Sequence, residues 1–265
     1  MLWGAAIGDI AGSRFEFDNI KSRDFVLLGD GCFFTDDTVL TAAVAEALVC
    51  WRSRPGCDLS REVVSALRRW ALAFPDRGYG GRFLRWAQSP SPAPYGSWGN
   101  GSAMRVSPCG WAAGSLAEAR SLARTVSAVT HNHPQALLGA EAAASCVFLA
   151  RTGAALDEIR RYVEDEFYRL DFTIDGIRAD YAYDVSCAGT VPQALEAFLE
   201  STSFEDALRT AISLGGDSDT IAAITGATAE AFYGVPPALI EKARGFLDAA
   251  IMEVFERFAA VFGPR

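Results

Sequence analysis

Three observations predict an all-α protein. Apolar residues recur at helical spacing almost everywhere along the 265-residue chain. Strict apolar–polar alternation is nearly absent, apart from short pieces such as Asp24 to Leu28. Alanine, which loses no side-chain entropy in a helix, is abundant. At roughly 150 residues per domain the length allows one large domain or two small ones. No internal repeat is visible, and the most linker-like stretch, Ser89 to Trp98, is short enough to be a loop inside a compact domain. The expectation is one domain over residues 1–265.

Taken in order, the first segment carries small residues at Gly4, Ala5, Gly8, Ala11 and Gly12, a face suited to close helix packing. Asp9 within it is costly to bury unless paired, and a salt bridge or a cap to a neighbouring helix is its plain reading. Glu16 falls where this helix should end, and exposure is its plain reading. Val39, Leu40, Ala43, Val44, Ala47, Leu48 and Trp51 form a core-facing helical stripe, and Val63, Val64, Leu67, Trp70 and Ala71 form another. Ser115 with Glu118, and Thr190 with Gln193, have capping-box spacing. Pro134 and Pro192 sit where a first helical turn would place them. Ile221, Ile224, Ala227, Thr228, Ala231 and Phe232 continue a helix that begins near Asp217 and ends at Gly234, before Pro236 and Pro237. These rules give about ten to twelve helices. Loops are expected at Gly29 to Thr35, Ser53 to Leu59, Ser89 to Trp98 and Asp171 to Asp184.

Composition excludes several functions. The net charge is −9, and the 22 arginines and two lysines are scattered, so a nucleic-acid footprint is missing. Six cysteines without a CxxC pair speak against structural zinc and a disulfide framework. They suit a reducing compartment. The N-terminus lacks the early positive charge of a signal peptide. The longest candidate for a buried segment, around Ala42 to Trp51, contains Glu46 and is far short of the ~20 apolar residues a membrane span needs. A cytoplasmic protein is expected.

Two segments carry the strongest chemistry. Phe34-Thr35-Asp36-Asp37-Thr38 leads straight into one helix, and Gly215-Gly216-Asp217-Ser218-Asp219-Thr220 into another. Each puts two carboxylates and a threonine hydroxyl at a helix start. Helix capping is the bland reading. It uses one acid per helix, and the surplus acid is repelled by its neighbour by perhaps ~1 kcal/mol. Hard divalent cations such as Mg²⁺, Mn²⁺ or Ca²⁺ would relieve that repulsion through oxygen ligands. Spacing alone leaves capping and metal binding both open.

Ser97-Trp98-Gly99-Asn100-Gly101-Ser102-Ala103-Met104-Arg105 reads as a turn opening a helix, a place for phosphate or an ordinary turn. Gly80-Gly81 before another helix is a weaker signal of the same kind. Thr130-His131-Asn132-His133-Pro134 holds both histidines of the chain. Nothing beside it has zinc-site spacing, so a cap or a polar ligand contact is the better reading.

Together and in this order, GAAIGDIAGSRFE, FTDDT, SWGNGSAMR, THNHP and LGGDSDTIAAITGA resemble the ADP-ribosylglycohydrolase family, which includes dinitrogenase-reductase-activating glycohydrolase and the eukaryotic ADP-ribosylhydrolases. The pieces span Gly4 to about Gly234. The resemblance implies an all-α orthogonal bundle with two Mg²⁺ ions in a cleft, Mn²⁺ being an alternative. It implies metal ligation by Thr35, Asp36, Asp37, Asp217, Asp219 and Thr220. The family's N-terminal glutamate falls on Glu16, which with Asp217 is expected to carry acid–base chemistry. The diphosphate-holding segment falls on Ser97, Gly99, Asn100, Gly101, Met104 and Arg105, and the substrate-contacting histidine on His131. Gly80, Gly81 and Trp98 complete the expected substrate site, with Trp98 or Tyr95 as the aromatic slot for adenine. The implied reaction is Mg²⁺-dependent removal of ADP-ribose from a protein or small molecule, by cleavage at the ribose anomeric carbon. A homologue that binds ADP-ribose without turnover is the rival, and the complete set of metal-ligand residue types argues against it. A pyrophosphohydrolase is a third reading, but its ExxE helix starts are missing. The region between Ala154 and Val185 is shorter than in many members and leaves the acceptor open.

Overall fold

A computed structural model describes residues 1–263 of the protein; the last two residues of the expected domain lie outside the described residues. Its described residues form fourteen α-helices and no strand; Gly99 and Ser186 make one isolated bridge. The helices are α1 Trp3–Ser13, α2 Asp36–Ser53, α3 Leu59–Ala73, α4 Gly81–Gln88, α5 Ser107–Ala112, α6 Leu116–Ala128 and α7 Pro134–Arg151. They continue with α8 Leu156–Glu166, α9 Ile174–Ile177, α10 Cys187–Leu199, α11 Phe204–Ser213, α12 Ser218–Tyr233, α13 Pro237–Arg244 and α14 Ala249–Phe262. The all-α expectation holds. The surplus over ten to twelve comes from short helices, such as four-residue α9 inside the expected loop Asp171 to Asp184.

Two helices are buried all round and set the layout. Every residue of α1 is buried, as is α12 from Ser218 to Glu230. Helices without a polar face belong inside a protein. α12 packs against α1, α7, α10 and α11, with α1 as its most extensive partner. The small-residue face explains how close they come. A Cβ at Gly8 would lie 2.1 Å from the Ala222 carbonyl oxygen, and one at Gly12 would lie 2.5 Å from Asp219 Cα. The C-terminal end of α1 therefore rests directly on the start of α12. Gly8→Val must drive the two backbones apart. It is expected to cost at least about 3 kcal/mol, read as a fall in melting temperature of roughly 6–12 °C. A melting temperature within about 2 °C of wild type would refute this contact.

The outer helices are amphipathic as expected. α3 buries Leu59, Val63, Ala66, Leu67, Trp70 and Ala71. Most helix starts follow the sequence signals. Ser115 accepts the Glu118 N–H at the start of α6, although the Glu118 carboxylate takes the Gly114 N–H instead of closing the box on Ser115. Gly234 ends α12 with φ 75°.

One start differs from the expectation. α10 begins at Cys187, capped by Ser186, whose hydroxyl accepts the Gly189 N–H at 2.9 Å. Thr190 and Pro192 lie inside the helix rather than at its beginning. Thr190 Oγ1 instead donates to the Asp184 carbonyl at 3.1 Å. The first loop is also longer than expected, running from the end of α1 at Ser13 to the start of α2 at Asp36. It carries Glu16, and Asn19 and Lys21 strap it to the turn before α12.

Candidate active site

The start of α2 shows that its two acids are not its cap. Its cap is Thr35, whose hydroxyl accepts the Asp37 N–H at 3.3 Å, so neither Asp36 nor Asp37 spends its carboxylate there. Further support comes from α1. Asp9, fully buried, accepts the Thr35 N–H at 2.9 Å, the Thr35 hydroxyl at 2.7 Å, the Thr38 N–H at 3.1 Å and the Thr38 hydroxyl. Asp9 is thus a cap for a neighbouring helix. Burial pushes its carboxyl up to about 6, and the threonine donors hold it from going higher.

The start of α12 also carries two acids, but no separate residue caps it. Asp217 stands at the cap position without making a capping bond. The preceding turn needs glycine. Gly216 has φ 71°, and a Cβ there would lie 2.4 Å from the Tyr181 ring. The Asn19 side chain holds that turn at both ends, accepting the Gly216 N–H at 2.7 Å and donating to its carbonyl at 3.0 Å. Lys21 donates to the Leu214 carbonyl at 2.6 Å. Asp217 accepts from Asn100 Nδ2 at 2.6 Å. Thr220 donates from its hydroxyl to Asp37 Oδ2 at 3.1 Å, which ties the two helix starts together.

Glu16 is not a surface residue. It is half-buried, accepts from the Tyr183 hydroxyl at 3.1 Å, and brings a carboxylate oxygen within 4.8 Å of those of Asp217 and Asp219. Burial, then the charges of Asp217 and Asp9, push its carboxyl up to about 7. Asp36, Asp37 and Asp219 are held well above the usual carboxylate range by burial first; the Asp9 charge comes next for Asp36 and Asp37, and the Asp217 charge for Asp219. Burial also raises Asp217. Among the described residues no arginine or lysine forms an ion pair with any of these acids.

This donor set fits a hard cation. It offers carboxylate and hydroxyl oxygens without histidine or thiol, its members repel one another, and Asp37 Oδ1 is buried with no hydrogen-bond partner. The tightest triad of carboxylates is Glu16, Asp217 and Asp219. Glu16 therefore stands closer to the acid cluster than the separation of metal-ligand and acid–base roles implied.

Glu16, Asp36, Asp37, Asp217 and Asp219 face a cavity of ≈ 400 Å³, as do Thr35 and Thr220. That volume suits a ligand of nucleotide size. The same cavity is lined by Gly80, Gly81, Ser97, Trp98, Gly99, Asn100, Gly101, Met104, Arg105 and His131. The structure thus brings every expected site residue to one place. Two details differ from the expectation. The glycine-rich segment opens a three-residue 3₁₀ turn, Asn100–Ser102, rather than a longer helix. Its Asn100 and Ser102 N–H groups are taken by the Val185 and Gly99 carbonyls, so fewer donors remain for a ligand than a free helix start offers. Of the two aromatics expected to form a slot, Tyr95 is half-buried with its ring centroid 5.8 Å from that of His131, and Trp98 is 46% exposed.

The two histidines divide as a cap and a cavity group. His133 caps α7 by accepting the Gln135 N–H, and His131 is buried against the cavity. Burial, with the Arg105 and Arg82 charges, pulls the His131 pKa well below the usual imidazole range. Arg105 is fully buried, and burial lowers its pKa to about 10. Tyr183 and Arg82 also line the cavity and were not anticipated. Both sit outside long periodic segments, where spacing carries no signal. Asp9 was flagged by its cost in an apolar helix, but its partners lie 26 and 29 positions away.

Comparison with known proteins follows the same lines. The family model described as ADP-ribosylglycohydrolase matches residues 1–265. The chain is similar to the ADP-ribosylhydrolase ARH3 of Mus musculus, at 24% identity over 95% of this chain and 88% of that one. It is similar to the ADP-ribosylarginine hydrolase Tri1 of Pseudomonas putida (strain GB-1), at 29% identity over 97% of this chain and 77% of that one. Among solved structures, it resembles one titled ADP-ribosylglycohydrolase-related protein complex, with a TM-score of 0.72 and 26% identity, covering 99% of this chain and 95% of that one.

Proposed function

The chain belongs to the ADP-ribosylglycohydrolase family and is a glycohydrolase, and on that premise we propose that it is a Mg²⁺-dependent enzyme that frees ADP-ribose from an ADP-ribosylated protein or small molecule. One observation carries this reading: two acid pairs, Asp36 and Asp37 at a helix start capped by Thr35 and Asp217 and Asp219 at a helix start where Asp217 makes no capping bond, face one nucleotide-sized cavity with Glu16 beside them. Thr35, Asp36, Asp37, Asp217, Asp219 and Thr220 would hold two Mg²⁺ ions, or Mn²⁺ in their place. Such ions supply Lewis-acid polarisation and neutralise the mutual repulsion of their ligands. A single domain carries the whole activity. Its six cysteines are unpaired, which supports a cytoplasmic setting. Among the described residues no helix is long and apolar enough to cross a membrane.

The protein groups divide the work. Cleavage at the anomeric carbon passes through an oxocarbenium-like state, with water adding as the acceptor leaves. Glu16, oriented by the Tyr183 hydroxyl, takes or returns the proton at that centre, and Asp217, oriented by Asn100, is the second carboxylate. The turn from Ser97 to Gly101, with Met104, Arg105 and His131, receives the diphosphate. Gly80 and Gly81 leave room for the substrate beside Tyr95, against which adenine stacks, and Trp98 stands at the rim.

Gly101→Val tests the diphosphate segment. Gly101 does not use the left-handed region, but a Cβ there would lie 3.1 Å from His131 Nε2. The side chain is expected to push into the cavity and weaken ADP-ribose binding by about tenfold or more, leaving the metals in place. Calorimetric titration at saturating Mg²⁺ reads this; unchanged affinity in the folded variant removes the segment from the site. The activity itself is tested by assaying ADP-ribose release from arginine-linked and serine-linked substrates side by side. Release from at least one, lost with chelator and restored by Mg²⁺, is expected; release from neither contradicts the reading.

A further inference from the structure

Thr130 has no part in the function proposed above, yet it stands between two residues that do. It is fully buried. Its hydroxyl oxygen lies 2.7 Å from Arg105 Nη2 and 2.7 Å from His131 Nδ1. A guanidinium can only donate, so the oxygen accepts from Arg105 and has its own proton to place. Two acceptors are within reach: His131 Nδ1 at 2.7 Å and the Ser127 carbonyl at 3.4 Å. The Ser127 carbonyl already accepts the Thr130 N–H at 3.1 Å and the His131 N–H at 2.8 Å, which fill its two lone pairs. The proton therefore goes to Nδ1. A neutral imidazole that accepts at Nδ1 carries its hydrogen on Nε2.

We propose that Thr130 is a positioning residue: it links Arg105 to His131 and fixes the imidazole as the tautomer whose Nε2–H points into the cavity, a neutral donor for an anionic substrate oxygen. The identity of that oxygen, a diphosphate oxygen of ADP-ribose, rests on the function proposed above; the tautomer does not. Nε2 is the ring atom next to the glycine-rich turn, as the 3.1 Å approach at Gly101 shows. A doubly protonated ring would leave the Thr130 proton only the Ser127 carbonyl, at 3.4 Å and already accepting two N–H groups, and the burial of both His131 and Arg105 opposes the added charge. The arrangement also gives Arg105 a use for Nη2, while its Nε and Nη1 remain buried without partners.

Nitrogen-15 spectroscopy of the imidazoles tests this directly, because the chain has two histidines and His133→Asn identifies the other one. In ligand-free wild type at neutral pH, His131 is expected to show an unprotonated Nδ1 and a protonated Nε2. A protonated Nδ1 overturns the proposal whatever the protein binds. Thr130→Val is expected to give a mixture of tautomers and to weaken ADP-ribose binding by about fivefold to tenfold, and Thr130→Ser to restore both within about twofold. A folded Thr130→Val protein with the wild-type tautomer also overturns it. A wild type that shows Nε2–H but binds no ADP-ribose supports the tautomer and defeats the functional reading, so the two fail separately.

Discussion

Asp36→Asn is expected to abolish the rise in melting temperature that Mg²⁺ gives the wild type. A ligand at a hundredfold its dissociation constant stabilises by about 2.7 kcal/mol, which for a chain of this size is roughly 5–10 °C. The substitution removes one of the carboxylates that face the cavity. It leaves the start of α2 intact, because Thr35 is the cap and the Asp36 backbone N–H is already bound by the Arg77 carbonyl at 2.7 Å. Without metal, the variant should be as stable as wild type or more so, since the Asp9 and Asp217 charges and burial all oppose the ionised form of Asp36. Equal Mg²⁺ shifts in both proteins would end the metal assignment. A large loss of metal-free stability would return Asp36 to a structural role.

Glu16→Gln is expected to lower turnover by about 10²–10⁴-fold, the usual range for a lost acid–base group, while the Mg²⁺ shift persists. The amide keeps the size of the side chain and still accepts from the Tyr183 hydroxyl, so its place in the cavity is preserved. What it loses is the ability to carry a proton. Wild-type turnover would remove Glu16 from the chemistry. Loss of the Mg²⁺ shift as well would make it a ligand beside Asp217 and Asp219, whose oxygens it approaches within 4.8 Å.

The acid pairs could be found in the sequence because two carboxylates at one helix start exceed what a cap needs. For the pair on α2 the structure adds the reason its carboxylates are free of capping. Thr35 caps its own helix, and Asp9 caps it again from α1. That second cap is tertiary, and no local spacing encodes it. The small-residue face of α1 was equally legible, since glycine at every fourth position has few uses other than close packing; its partner, α12, was not. The start of α10 was misread because Thr190, Pro192 and Gln193 imitate a helix beginning, while the true cap, Ser186, is followed at the third helical position by Gly189 instead of an acid or amide. Tyr183 and Arg82 reach the cavity from a loop and the first turn of a short helix, and their place depends wholly on how the chain folds back. Their chemistry marks them only after the fold is known.

The central claim is that the starts of α2 and α12 form one metal centre facing an ADP-ribose cavity. Anomalous diffraction from crystals of the full chain soaked with Mn²⁺ and ADP-ribose tests it most directly. The account predicts anomalous peaks enclosed by Thr35, Asp36, Asp37, Asp217, Asp219 and Thr220, with the diphosphate against Gly99 to Gly101 and the His131 ring. Ordered ADP-ribose elsewhere, or a cavity that takes up no Mn²⁺ at concentrations that saturate the thermal shift, would contradict it.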